Sequence, residues 1–212
     1  MRPLLSIAPQ RWLMLFSGFL LWGLGLALFV RANLGMGPWD AFHQGLGVQF
    51  GITIGTASII ASVMVLLFWI PLRQRPGIGT ICNALTIGPF TDFFLWLLPP
   101  EIESLWLRGA MLPAAMLCVG VGSALYLPAG LGAGPRDGLM MGLHNKLGWS
   151  IRLSRTAVEA CALGIGFAMG GTVGIGTVVF AFGIGPVVQA SLGHARRFLP
   201  DWRLPATAPA RQ

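Results

Sequence analysis

The stretch LGMGPWDAFHQGL, residues 34–46, returns as LGAGPRDGLMMGL at residues 131–143. The offset is 97 and holds without gaps further on: PGIGT at 76–80 lies over VGIGT at 173–177, and TIGPF at 86–90 over GIGPV at 183–187. Between 34–95 and 131–192, 19 of 62 positions are identical, where a chain so rich in Gly and Leu would match itself by chance at roughly a tenth of positions. The chain is an internal duplication, and its fold is that of one unit used twice. The match reaches back into the first apolar run, with Gly23 and Gly25 over Gly120 and Gly122.

The unit is a membrane unit. Of 212 residues, 55% are hydrophobic and 10% charged, and the mean hydropathy is +0.73, which excludes a soluble globule. Apolar runs of about 20 residues cross a hydrocarbon core of about 30 Å. Six such runs are predicted, at roughly 12–30, 54–72, 77–98, 109–128, 153–173 and 174–193. The organisation expected is a cytoplasmic amino terminus (1–11), a first repeat (12–98), an outer linker (99–108), a second repeat (109–193) and a basic cytoplasmic tail (194–212) held near anionic lipid. Arg2 and Arg11 before an apolar run, with Val30-Arg31-Ala32 after it, imitate a secretory signal, but the run is too long and has its own match in the fourth span.

Three spans per repeat is an odd number, so the second copy enters the membrane from the opposite side. The expected fold is therefore an all-α integral membrane protein of about six helices, built as two inverted-topology three-helix repeats. Charge supports this: twelve of the fourteen Lys and Arg fall on one side, leaving only Arg31 and Arg108 on the other. By the positive-inside rule both termini are cytoplasmic. Seven of the eight Trp fall near proposed span ends or in flanking segments, as an interfacial belt requires. The net charge of +7 is spread over loops and forms no nucleic-acid patch. Cys82, Cys118 and Cys161 sit in apolar stretches without pair spacing, so neither a disulfide framework nor a metal site is expected.

The Gly-x-Gly-Pro-x-Asp segments break the chain and restart it. Gly permits the turn, Pro38 and Pro135 suit a first helical position, and Asp40 and Asp137 fall in the first turn, where the helix dipole favours an anion. About a dozen residues follow, too few to span, so each repeat carries a short re-entrant or interfacial half-helix. The two aspartates are either caps on surface helices or contacts for a cation, proton or polar substrate at the two mouths of one pathway. Gly88-Pro89 and Gly185-Pro186 fall near mid-membrane in the third and sixth spans. Broken helices at matching positions of two halves point to a transporter's central site, although a kink also serves plain packing. Thr80 and Thr177 open the same helices. Asp92, with Asn83 and Thr86 before it, is an acid within a span and is expected to face the bundle interior or a wet cavity; its counterpart is Gln189. Glu159 sits four residues after Arg155, in pairing range. His43 and His144 belong to no ligand cluster.

In RANLGMGPWDAF, PGIGT and IGPFTD the sequence resembles the YczE-like branch of the YczE/YyaS/YitT group of bacterial multi-pass membrane proteins, over about residues 12–193. The resemblance implies a small bacterial plasma-membrane protein of this span pattern and supplies no reaction. No enzymatic motif is present: there is no HExxH, Gly-x-Ser-x-Gly or phosphate loop. The function expected is a small secondary transporter or permease without cofactor, moving an unknown small solute or ion by alternating access. Its pathway residues are Asp92, Asn83, Thr80, Thr86 and Pro89, with Thr177, Pro186, Asp40 and Asp137. The alternative is a non-transporting scaffold or accessory protein that assembles or regulates a partner through small-residue helix faces; the same faces are compatible with a homo-oligomer.

Overall fold

The computed structural model describes residues 9–198. The first eight residues and the tail beyond Phe198 lie outside the described residues. All regular structure among them is helical: α1 (Pro9–Ala32), α2 (Pro38–Phe50), α3 (Ile54–Trp69), α4 (Ile78–Leu97), α5 (Leu105–Tyr126), α6 (Pro135–Leu147), α7 (Ile151–Ala168) and α8 (Ile175–Phe198). α8 thus takes in 194–198, which the sequence reading assigned to the tail.

The offset of 97 recurs in the helix starts. α2 and α6 open on Pro38 and Pro135 after extended Gly37 and Gly134, and close on left-handed Gly51 and Gly148. α3 and α7 open on Thr53 and Ser150, whose hydroxyls accept from the amides of Thr56 and Leu153. α4 and α8 follow Gly77 and Gly174, whose amides donate to the Thr80 and Thr177 hydroxyls, each at 3.2 Å.

Four helices, α1, α4, α5 and most of α8, are long and apolar enough to cross a membrane; the pair α2–α3, bent by 112°, makes a fifth if counted as one broken span. The six expected spans are corrected at two places. α3 ends at Trp69, where the chain turns into Pro71, and is shorter than 54–72. α7 ends at Ala168 before left-handed Gly170 and carries Arg152, Arg155 and Glu159. Pro89 and Pro186 do not break their helices, which continue through both. The break lies instead between α2 and α3, at Gly51–Thr53.

Contacts between the halves come in exchanged pairs. α1 against α5 is the most extensive helix pair. A Cβ on Gly122 would lie 2.7 Å from the Gly18 carbonyl oxygen, and a Cβ on Gly25 2.9 Å from that of Ala115, the position matched to Gly18. Gly23 faces Phe90 as Gly120 faces Val187, and Gly45 faces Met169 as Gly142 faces Leu72. Most directly, the Gly79 amide donates to Leu131 O at 2.8 Å and the Gly176 amide to Leu34 O at 2.7 Å, so each half's glycine loop is bonded to a helix start in the other. Gly35 and Gly132 beside these loops have φ of 102° and 138°, a region that excludes side chains.

Departures from exchange are also informative. α3 packs on α4, with the Gly55 and Gly88 backbones in close approach. α7 forms no comparable interface with α8; Arg152 occupies the place matched to Gly55. Trp39 and Trp69, expected in an interfacial belt, are buried, and Trp69 Nε1 donates to Pro135 O at 3.0 Å, tying α3 to the start of α6. The two exceptions to the charge asymmetry serve helix ends: Arg108 donates to Ala32 O and Asn33 O at 2.7 Å, and Arg31 to Leu95 O and Pro100 O.

Gly122→Ala places a methyl against backbone and is expected to lower stability by about 1–3 kcal/mol. Gly193→Ala, with open space around it, is expected to be neutral or to stabilise by up to about 1 kcal/mol. Thermal unfolding of both variants in detergent micelles checks the opposite signs.

Candidate functional site: a cavity between the repeats

A cavity of about 390 Å³ lies between the two halves. Its walls are drawn from matched positions. Pro38 and Pro135, Trp39 and Arg136, Asp40 and Asp137, Ser58 and Arg155, Ser62 and Glu159, and Asn83 and Phe180 all line it, each pair separated by 97. Ile87 and Ile184 repeat the pattern. The cavity therefore sits on the axis of exchange, at the point where α2 and α6 both begin.

The first turns of the two half-helices meet there. The Arg136 guanidinium lies over the Trp39 ring, 5.1 Å from its centroid, so two residues matched across the repeat stack on each other. Arg136 Nη2 is 3.9 Å from Asp40 Oδ1 and 3.4 Å from His43 Nε2. A guanidinium only donates, so Nε2 accepts and the ring proton sits on Nδ1, 4.0 Å from Asp40 Oδ1. Asp40 is 4% exposed, His43 1% and Trp39 9%. Despite that burial, Asp40 Oδ1, His43 Nδ1 and Trp39 Nε1 have no hydrogen-bond partner within the protein. Across the cavity Tyr126 and Asp137 share the wall, and Arg155 Nε donates to Glu159 Oε1 at 2.9 Å. A second cavity, of about 440 Å³, lies beside Trp69, Arg75 and the 130–133 loop; Asp137 lines it too.

These details sit within a larger match. A family model covers residues 9–192. The chain belongs to DUF6198, a family of unknown function. An uncharacterised protein of Haemophilus influenzae is 41% identical over 82% of this chain and 80% of its own length. The uncharacterised membrane protein YczE of Bacillus subtilis is 36% identical over 89% and 88%, and YyaS of the same organism 29% over 76% and 82%. This agrees with the resemblance to the YczE-like group, and the chain is a membrane protein of that group. No solved structure matches it.

In this DUF6198 chain the sequence-predicted site residues divide. Asp40, Asp137 and Asn83 line the central cavity. The two aspartates were expected at separate mouths, or as caps on surface helices; they line one cavity because both half-helices start at its centre. Thr80 and Thr177 are buried and lock loops: the Thr80 hydroxyl donates to Ala133 O at 2.7 Å while accepting from Gly77. Thr86 donates to Cys82 O within its own helix. Pro89 and Pro186 do not line the cavity, though Gly185 does. Asp92 lies apart from it. Its carboxylate accepts from the Gly55 amide at 2.9 Å and from the Thr53 hydroxyl, so it caps the start of α3 from the neighbouring helix. His43, read as one more lone histidine, is buried against Arg136.

Arg136, Trp39, Tyr126 and Gln189 escaped the sequence reading as site residues. A usable signal was present: the first turn after each Pro contributes a matched pair to the cavity wall. Asp92→Ala removes both cap contacts and is expected to cost about 0.5–2 kcal/mol. Gln189→Ala, at the matched position with no cap to hold, is expected to stay within about 0.5 kcal/mol. Melting curves in detergent separate the two.

Proposed function

We propose that the protein is a small secondary transporter or permease of the bacterial plasma membrane, acting by alternating access of one central site between two inverted repeats. The observation that carries this reading is the cavity itself, walled by matched residues of both halves. In inverted-repeat transporters the substrate site lies at the repeat interface, with half-helix termini pointing at it, and α2 and α6 have that relation to Asp40 and Asp137. Two further features support it. Asp137 lines both cavities, so a polar residue stands at the boundary between them. The α3–α4 packing without an α7–α8 equivalent gives the halves different closures around one site, and alternation requires two such arrangements.

In this reading both termini are cytoplasmic, 73–75 faces inward and 99–108 outward. Single Cys at Gln74 and at Glu103, in a Cys-free background, are expected to label from opposite sides of the membrane; labelling from one side removes the inverted arrangement. For transport, protein reconstituted in liposomes is expected to carry at least one solute of a broad panel, with flux reduced about tenfold or more in Asp137→Asn and little changed in Asp92→Asn.

One observation favours the scaffold alternative. α8 turns Gly193 to open space and leaves Phe182 exposed, a surface suited to a partner helix. Stable co-purification of a partner together with no flux across the panel decides for that reading.

A further inference from the structure

We propose that the central cavity takes a monovalent organic cation, an ammonium or guanidinium, seated between the Trp39 ring and the Asp40 carboxylate in the place that the Arg136 guanidinium now holds. The assignment deepens the transporter reading and rests on it for its physiological meaning, though binding itself does not.

Charge is the first argument. Every titratable group facing the site is accounted for: Asp40 and His43 on α2, Tyr126 on α5, Arg136 and Asp137 on α6, and Arg155 and Glu159 on α7. Three carboxylates against two guanidiniums leave one formal negative charge. Arg155 is engaged by Glu159 at 2.9 Å, so the surplus lies with Asp40 and Asp137, and Arg136 comes within 3.9 Å of Asp40. At Asp40, 4% exposed, that charge is buried, and a buried charge without a close partner is costly and calls for a counter-charge.

Unused hydrogen-bonding capacity is the second. Asp40 Oδ1 is buried and accepts nothing, with Arg136 Nη2 held off at 3.9 Å. Buried polar atoms are rarely left so. The neighbouring donors Trp39 Nε1 and His43 Nδ1 also lack partners, and His43 Nδ1 stops 4.0 Å short of Oδ1; an ammonium or guanidinium brings the carboxylate donors together with a charge.

The helix termini argue the same way. A half-helix amino terminus normally invites an anion, but here the first turns of α2 and α6 already carry Asp40 and Asp137. An anionic solute arriving there meets two carboxylates; a cation meets the charges those termini stabilise. Finally, the walls include Trp22, Trp39, Tyr126 and Phe180, whose ring faces attract cations. The guanidinium already stacked on Trp39 demonstrates the fit with this chain's own side chain. Arg136 is thus a tethered competitor that holds the site between loads.

The test uses the full chain in detergent micelles, titrated separately with guanidinium chloride and ethylammonium chloride, against sodium chloride and sodium benzoate at equal ionic strength. Binding is read by tryptophan fluorescence and calorimetry. Saturable binding of both cations and none of benzoate is expected. Asp40→Asn is expected to weaken cation binding about tenfold or more. Arg136→Gln is expected to tighten it about threefold or more, because the competitor is gone. Saturable benzoate binding, no saturable cation binding, cation affinity indifferent to Asp40→Asn, or loss of binding in Arg136→Gln each overturns the assignment. Where a variant's melting profile shows it unfolded, the cation-against-benzoate comparison on the unaltered protein decides alone. Cation binding without flux in liposomes keeps the site and removes transport; flux of a neutral or anionic solute without cation binding keeps transport and removes this cargo class.

Discussion

A chain that leaves its helix inside an apolar protein exposes amides and carbonyls that no solvent can satisfy, each costing several kcal/mol if left alone. This protein does so twice, at 33–37 and 130–134, and solves both cases by the same bond. The Gly79 amide takes Leu131 O and the Gly176 amide takes Leu34 O. Each loop is thereby satisfied by the other half of the molecule, so neither half is complete alone. The tight packing around α1 and α5, the burial of both half-helix starts and the cavity between them all depend on that reciprocal arrangement. Thr80 and Thr177, placed at the same two junctions, hold the helix starts in the geometry that presents those amides.

Much of this was legible before any coordinates. The offset of 97 located both copies, and Pro38 and Pro135 marked the starts of the half-helices, because helix starts are local chemistry. Asp40, Asp137 and Asn83, named from the sequence as pathway residues, all line the cavity, although the two aspartates were expected at separate mouths or as surface caps. What could not be read was which helix lies beside which. Asp92 carries the strongest sequence signal, an acid among apolar residues, yet its partners are the Thr53 hydroxyl and the Gly55 amide of a different helix, a cap formed only by tertiary packing. Pro89 and Pro186 suggested breaks, but a helix packed on neighbours continues through a proline. Trp39 looked like a belt residue because its segment borders a span; only the fold carries that segment inward to meet Arg136.

The two halves have diverged where α3 meets α4 and where α7 would meet α8. Gly55 lets α3 lie against α4, and Asp92 bonds across the contact; Arg152 and Gln189 stand at the matched positions. Gln189 lines the central cavity, and α7 leaves α8 largely uncovered. Two matched differences, Gly55 against Arg152 and Asp92 against Gln189, thus set the α3–α4 contact apart from its counterpart, while the loop-to-helix bonds that define the shared frame remain equivalent.

The stacked pair on the axis bears on how the gene must have arisen. In a symmetric dimer of a single-repeat ancestor, a residue at this position would face its own copy: arginine would repel arginine, and tryptophan would meet tryptophan with no charge between them. Trp39 against Arg136 is available only once the two copies are separately mutable. Divergence of the two copies therefore released the axis from self-complementarity and allowed an electrically polarised centre that no homodimer of either half can form.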